Sequence, residues 1–130
     1  MATELIRGLG NITSRHQGCV ATIGNFDGVH KGHLALLSKV KEKALLLNVP
    51  SLVITFEPHP QEYFEPHKAP PRLTRWREKF FELMRCNIDY VLVVRFDAAL
   101  SGVSAEEFVT KILFEQLHVK GIIIGDDFRF

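Results

Sequence analysis

Two histidines, His30 and His33, lie in a glycine-rich segment that runs from Gly24 to His33 and reads GNFDGVHKGH. Its glycines allow the backbone to turn tightly and to approach a ligand closely. An apolar, β-branched run precedes the segment and a helical pattern follows it, so the segment leads into the amino terminus of a helix. Free N–H groups and a partial positive charge at that terminus attract phosphate. The residues therefore predict a phosphate site to which both imidazoles add donors.

Two other interpretations of this segment remain open. The glycines could form only a tight strand-to-helix turn with the histidines as surface caps, or the histidines could bind zinc. No cysteine or carboxylate cluster at ligand spacing supports zinc. The segment is not a P-loop, because it lacks Gly-Lys-Ser/Thr and Lys31 follows His30 rather than a glycine. It also lacks the Gly-x-Gly-x-x-Gly spacing of dinucleotide-binding turns.

Short apolar runs alternate with amphipathic stretches along the chain. This alternation predicts the strands and helices that position the segment. The predicted strands are 19–23, 51–56, 90–96 and 121–124, and the predicted helices are 33–47, 74–85 and 104–117. Ser104 and Glu107 have the spacing of a capping box at the start of the last helix. This order predicts an α/β fold in which a parallel sheet carries helices on both faces.

Ligands of such sheets bind beyond the carboxyl ends of the strands, near the point where the strand order switches. Three segments are expected at that edge: 24–33, 56–64 and 125–130. In the third, Asp126 and Asp127 could orient a ribose or a metal-bound phosphate, or could be the solvated charges of a turn. Taken by itself, this segment favours the solvated turn.

Composition excludes several classes of protein. The 130 residues contain 16 Lys and Arg against 15 Asp and Glu, so a net charge of +1 gives no global argument for a nucleic acid or an acidic membrane as partner. No apolar run approaches the roughly 18 residues of a membrane span. Cys19 and Cys86 are too few for a disulfide scaffold and are expected to pack in the interior. The composition is typical of a cytoplasmic globular domain.

A basic stretch at the start of the second predicted helix has two interpretations. Its cations are Arg72, Arg75, Arg77 and Lys79. They could form a phosphate or nucleic-acid patch, but a solvated helix face with Glu78 as an intrahelical partner is favoured.

The segment 24–33 resembles the His-x-Gly-His signature of the nucleotidyltransferase superfamily, in the form found in bacterial FAD synthetases. These are the adenylyltransferase part of the bifunctional riboflavin kinases/FMN adenylyltransferases. Further segments resemble that family in the same order along the chain. They are ITFEPHPQEYF (54–64), RLTRWREKF (72–80), Phe96-Asp97 with Ser104 to Val109, and GDDFRF (125–130). The resemblance implies a Rossmann-like nucleotidyltransferase fold.

The reaction that the resemblance implies is transfer of AMP from ATP to the phosphate of FMN, which gives FAD and pyrophosphate. It assigns His30 and His33 to the phosphates of ATP. The residues implied to line the ATP site are Gly24, Asn25, Phe26, Asp27 and Gly32, and those implied to contact flavin or nucleotide are Pro58, His59, Pro60, Asp127 and Phe128. Mg²⁺ is expected to bridge the phosphates of ATP, so no residue is assigned as a metal ligand.

The aromatic and proline cluster of 56–64 keeps two interpretations. It could be a platform for the flat isoalloxazine ring or a hydrophobic plug that ties a long loop to the sheet. Within it, His59 is the expected ligand contact and Phe56 is expected in the core.

The family pattern continues beyond GDDFRF with further sheet and helix, a Ser-Ser-Thr-x-Ile/Val-Arg motif and a carboxyl-terminal riboflavin kinase barrel. We therefore expect residues 1–130 to be the amino-terminal portion of the domain, incomplete at its carboxyl end, with an exposed sheet edge. Alone, they are expected to bind nucleotide weakly and turn over poorly. Two alternatives stay open: a transferase for another phosphate acceptor, such as phosphopantetheine or nicotinamide mononucleotide, or a non-catalytic flavin or nucleotide binder.

Overall fold

The computed structural model describes residues 3–24, 26, 31–57, 76–95 and 102–125. Within these ranges, five strands form one sheet in the order β1-β4-β3-β2-β5, and the four pairings between them are parallel. The strands are β1 (Glu4–Arg7), β2 (Val20–Ile23), β3 (Ser51–Glu57), β4 (Tyr90–Arg95) and β5 (Gly121–Ile124). The predicted parallel α/β architecture is confirmed.

The first strand is the part of the sheet that sequence analysis missed, because no strand was predicted before Cys19. β1 has only four residues, of which Ile6 alone is fully buried. So short an element offers no measurable apolar alternation. It forms at one end of the sheet because β4 supplies a hydrogen-bonding partner, with Leu5 opposite Val91 and Ile6 opposite Leu92.

Helices cover both faces of the sheet, as predicted. They are α1 (Lys31–Leu47), α2 (Trp76–Arg85) and α3 (Ala105–Phe108), which continues as a π-helical stretch (Val109–Gln116). Two short 3₁₀ turns, Leu9–Asn11 and Ser14–His16, lie between β1 and β2. The first two residues of the predicted helix 74–85 lie outside the described residues.

The core has one apolar layer on each side of the sheet. The layer beneath α1 and α2 consists of Phe26, Leu37, Val53, Leu83, Ile88 and Val91. The larger layer beneath the π-helical stretch includes Ile23, Leu52, Ile54, Phe56, Leu92, Phe108, Ile112, Leu113 and Leu117. Phe56 is 1% exposed, which confirms its expected place in the core.

The last helix begins at the predicted cap. The Glu107 N–H donates to Ser104 Oγ over 3.1 Å, and the Ser104 hydroxyl faces Glu107 Oε1 at 3.4 Å. Beyond Phe108 the hydrogen bonds widen to π spacing, since the Leu117 N–H donates to the Ile112 carbonyl over 3.0 Å. The wider turn brings Phe108, Ile112 and Leu113 onto one buried face.

The buried stripe of α1 is narrow. Leu37, Val40 and Ala44 are buried, whereas Leu34 and Leu47, three residues before and after them, are exposed to 48% and 42%. β5 lies at one end of the described strand order, and its Ile122 and Ile124 are exposed to 38% and 48%. Across the described ranges, no helix combines the length and apolar character that crossing a bilayer requires.

Candidate functional site

Three neighbouring strands, β3, β2 and β5, bring the predicted ligand segments to one edge of the sheet. Ile23 at the end of β2 pairs with Ile54 of β3 on one side and Ile124 of β5 on the other. Starting from β2, the chain places β3 and then β4 on one side of it in the sheet, whereas β5 lies on the other side of β2. The strand order therefore switches between β2 and β5, where parallel α/β sheets bind ligands.

Gly24 extends β2 by one residue at this edge, and an aromatic ring packs directly against it. Its N–H donates to the Ile54 carbonyl over 3.0 Å. A Cβ at Gly24 would lie 2.7 Å from Cε2 of Phe26, which is closer than real side chains approach. The residue must be glycine because the Phe26 ring occupies the space of a side chain.

Phe26 links this turn to the predicted phosphate-binding histidine. Its backbone has a φ of +52°, a conformation that few residues other than glycine adopt. Its side chain is 2% exposed and packs in the layer beneath α1 and α2. The ring centroid lies 5.0 Å from that of His33, with the planes tilted by 53°. The contact sets the half-buried imidazole against the core.

His33 lies in the first turn of α1, which begins at Lys31. The N–H groups of that turn have no helical carbonyl ahead of them, and the helix gives its amino end a partial positive charge. Gly32 is exposed there and adds no side chain of its own. A helix start that carries an imidazole at the switch point is an arrangement that can bind phosphate.

The remaining predicted site residues lie outside the described residues, so their places stay predictions. They are His30, Asn25, Asp27, Pro58, His59, Pro60, Asp127 and Phe128. Of the predicted set, the structure describes Gly24, Phe26, Gly32 and His33, and it brings all four to the turn between β2 and α1.

Lys79 corrects one expectation about the basic stretch. It was expected on a solvated face, but it is only 3% exposed, and its Nζ donates to Thr55 Oγ1 over 3.3 Å. Its neighbours Arg77 and Glu78 are exposed, as expected. Sequence analysis overlooked a signal: Lys79 precedes the buried Leu83 by four residues, so both lie on one helix face.

The opposite, amino edge of the sheet holds an open cleft of about 430 Å³. Its charged groups are already paired with neighbouring groups of the protein. Arg15 Nη2 lies 2.6 Å from Glu4 Oε1, and Asp89 Oδ2 accepts from the N–H and the hydroxyl of Ser51 at 2.9 and 3.1 Å. The first pair joins the 3₁₀ turn Ser14–His16 to β1, and the second joins the start of β3 to the residue before β4, which is a structural role.

Metal and thiol chemistry have no support in the described residues. Among them, no three His, Cys, Asp or Glu side chains form a group that could hold a metal ion. Burial raises the pKa of the Cys19 thiol to about 11, and burial also raises that of Cys86. Both cysteines are free; Cys19, buried and protonated, is a packing residue rather than a nucleophile, and Cys86 is half-buried.

A parallel sheet with helices on both faces, and with a glycine-rich turn entering a helix at the switch point, defines a nucleotidyltransferase-like α/β protein. The sequence profile of one such family, FAD synthetase, matches residues 12–130. The chain belongs to the FAD synthetase family, as its motifs predicted.

Individual relatives agree with this assignment. The chain is 51% identical over 128 residues to the bifunctional riboflavin kinase/FMN adenylyltransferase of Escherichia coli K12, a match that covers 98% of this chain and 41% of the relative. It is 48% identical over 127 residues to the protein of the same name from Pseudomonas fluorescens, with 98% and 40% covered. The chain thus spans about two fifths of the length of these relatives.

A solved structure supports the fold along the whole chain. A crystal structure described as a macrolide-efflux protein from Streptococcus pneumoniae superposes with a TM-score of 0.82 at 26% identity. The superposition covers 100% of this chain and 50% of that one.

Proposed function

We propose that the protein is an FMN adenylyltransferase, which transfers AMP from ATP to FMN and releases pyrophosphate. The observation that carries the proposal is the packing of His33, in the first turn of α1, against Phe26, whose ring also covers Gly24 at the end of β2, in a chain of the FAD synthetase family. The relatives are named as bifunctional enzymes, so the proposal includes a riboflavin kinase activity in the full natural chain. It also includes a cytoplasmic location, as for an enzyme that consumes ATP.

The chemistry needs positioning more than proton transfer. A phosphate oxygen of FMN forms a bond to the α-phosphorus of ATP, and the bond from that phosphorus to the bridging oxygen breaks. The electron pair leaves with pyrophosphate. Because the attacking phosphate is already ionised, no general base is required, and catalysis depends on alignment and charge stabilisation.

In this proposal, the turn between β2 and α1 stabilises the charge on the phosphates of ATP. Its backbone N–H groups and the His33 imidazole would donate to the phosphates of ATP, with His30 as the second predicted donor. These donors are already in place and would stabilise the charge that develops on the leaving pyrophosphate. Removing one such preorganised donor typically lowers kcat by about 10² to 10³-fold.

Mg²⁺ belongs to this proposal as an ion carried by ATP. We expect the ion to be held mainly by phosphate oxygens of ATP, as Mg²⁺ usually is at nucleotide sites. When bound, it would neutralise part of the phosphate charge. Positioning of the phosphates by His33 and the start of α1 is the contribution of the protein.

The test uses the full natural chain with ATP, Mg²⁺ and FMN, and it measures FAD by chromatography together with pyrophosphate release. We expect FAD to form and His33→Asn to lower kcat/KM at least 100-fold. His118→Asn is the matched control, because His118 is exposed and has a φ of +48° that asparagine adopts readily. Its activity should stay within twofold of the wild type.

Other outcomes separate the alternatives. Pyrophosphate release with phosphopantetheine or nicotinamide mononucleotide, but not with FMN, would identify a transferase for another acceptor. Quenching of FMN fluorescence without any pyrophosphate, unchanged in His33→Asn, would identify a non-catalytic flavin binder. Either result would overturn the proposed reaction.

A further inference from the structure

A buried hydroxyl group on β2 has no hydrogen-bond partner in the part of the chain that the structure describes. Thr22 is 0% exposed, and its Oγ1 neither donates nor accepts a hydrogen bond there. Thr3, which is also buried, shows the usual situation, because its hydroxyl donates to the Ile88 carbonyl. A buried polar group without a partner is unfavourable, since its hydrogen bonds to water are lost and not replaced.

An apolar side chain would suit the fold better at position 22. Valine has nearly the shape of threonine, carries no polar atom and is common in buried strands. The residues paired with Thr22 on the two neighbouring strands are apolar, namely Val53 of β3 and Ile123 of β5. The hydroxyl therefore lowers the stability of the protein, and a role in ligand binding would account for it.

Thr22 points to the face of the sheet that carries the candidate phosphate site. Val53, which is paired with Thr22, packs in one cluster with Phe26, and side chains opposite each other on paired strands share a face. Gly24 follows Thr22 by two residues, so a Cβ there would point to the same face, where it would meet the Phe26 ring at 2.7 Å. The same ring contacts His33. The unpaired hydroxyl thus lies on the side of the sheet where the turn enters α1.

The backbone next to this hydroxyl also has an unfavourable conformation. Phe26 has a φ of +52°, which bulky side chains rarely adopt. Residues in such conformations are of higher energy and cluster at ligand sites, where binding can change the backbone. The unpaired hydroxyl and the positive φ lie four residues apart in the sequence and on one face of the sheet. A single change in the backbone around Phe26 could therefore relieve both.

We propose that Thr22 is a positioning residue of the nucleotide site: when the phosphates of ATP bind at the start of α1, the backbone around Phe26 shifts and forms a hydrogen bond with the Thr22 hydroxyl. The proposal rests on the ATP-binding part of the proposed function and is independent of the acceptor. Because the hydrogen bond forms only in the complex, the stability lost in the free protein is recovered as affinity for the phosphates. Adenosine has no phosphate and gains nothing from the hydroxyl.

The test measures stability and binding in the full natural chain with Thr22→Val. Without ligand, we expect the Tm to rise by about 2 to 4 °C, because an unpaired polar group has been removed. Calorimetry should show that Mg-ATP binds about tenfold more weakly, which corresponds to the loss of one hydrogen bond. The Ki of adenosine, measured by competition against ATP, should stay within twofold.

Two further variants are the controls. Thr22→Ser keeps the hydroxyl and should bind Mg-ATP within threefold of the wild type. Thr3→Val is the matched control for removal of a threonine hydroxyl, because the Thr3 hydroxyl is paired with the Ile88 carbonyl beside the amino ends of the strands. It should lower the Tm and leave the Kd of Mg-ATP within twofold.

Several outcomes would contradict the proposal. An unchanged or lower Tm in Thr22→Val would show that the hydroxyl is already paired in the free protein. An unchanged Kd of Mg-ATP would show that the hydroxyl takes no part in binding, and equal weakening of Mg-ATP and adenosine would indicate a general structural defect. A wild-type protein that binds Mg-ATP but makes no FAD would overturn the proposed reaction and leave the inference about Thr22 standing.

Discussion

The aromatic ring of Phe26 lies 5.0 Å from the imidazole of His33, centroid to centroid. One partner is a core residue, and the other is half-buried at the start of α1. The predicted catalytic geometry therefore depends on the same packing that stabilises the fold. The ring is also the reason that residue 24 must be glycine.

Replacing Phe26 should lower the stability of the protein and shift the imidazole of His33. Phe26→Ala removes a side chain that is 2% exposed, so we expect the free energy of unfolding to fall by about 3 to 5 kcal/mol. Phe26→Leu fills more of the space and should cost less than half as much. Urea unfolding measures both values, and the ring signals of His33 in NMR spectra should shift in each variant. A loss below 1 kcal/mol in Phe26→Ala would contradict the packing described.

A methyl group at Gly24 should force the Phe26 ring out of place. Gly24→Ala puts a Cβ 2.7 Å from Phe26 Cε2, and we expect roughly 1 to 3 kcal/mol of destabilisation by urea unfolding. Gly10→Ala is the matched control, because a Cβ there meets nothing within 4 Å. Its stability should change by less than about 0.5 kcal/mol. Equal effects at the two glycines would show that ring contact is not the cause.

The two cysteines should differ in reactivity. Cys19 is 0% exposed and burial raises its pKa to about 11, so only about one thiol in a thousand is ionised at pH 8. Cys86 is half-buried and should react first with a thiol reagent. In the native protein we expect one fast thiol equivalent, and in Cys86→Ser none until urea unfolds the chain. Fast labelling of Cys19 in that folded variant would be inconsistent with its burial.

The raised pKa of Cys19 also predicts a loss of stability in alkaline solution. The folded state keeps the thiol protonated up to pH about 11, whereas the unfolded thiol ionises near its ordinary value of 9.0. Stability from this group is therefore complete below pH 9 and lost as the pH rises from 9 to 11. Over that interval the wild type should lose about 2 kcal/mol more than Cys19→Ala, measured by urea unfolding. Parallel losses in the two proteins would refute this assignment.

Local sequence patterns predicted the elements that carry long apolar runs. The runs at 19–23, 51–56, 90–96 and 121–124 all contain strands, because continuous apolar residues are stable only when both faces of a strand are covered. Parallel strands then bring the segments that follow them to one edge. That is why the turn from Gly24 to His33 could be placed in the fold without coordinates.

The features that were missed depend on partners distant in the chain. The charged neighbours of Lys79 in the sequence predict a surface charge, whereas in the fold its Nζ donates to Thr55 of β3, which is distant in the chain. β1 is too short to have a pattern, and it forms because β4 lies beside it. The motif assigns Phe26 to the ATP site, and a contact with ATP stays a prediction. The structure shows in addition that Phe26 packs in the core.

The pairing of β1 with β4 has a consequence for synthesis of the protein. β1 leaves the ribosome before the other described strands, yet its partner follows much later: the Thr3 hydroxyl donates to the Ile88 carbonyl, 85 residues further along the chain. β2 and β3, which pair with each other, are both complete before β4 is made. β1 is therefore expected to stay unpaired until β4 appears and to dock onto it late in folding, because distant contacts close slowly. A nascent chain halted before residue 90 should protect β2 and β3 from hydrogen exchange and leave residues 4–7 open.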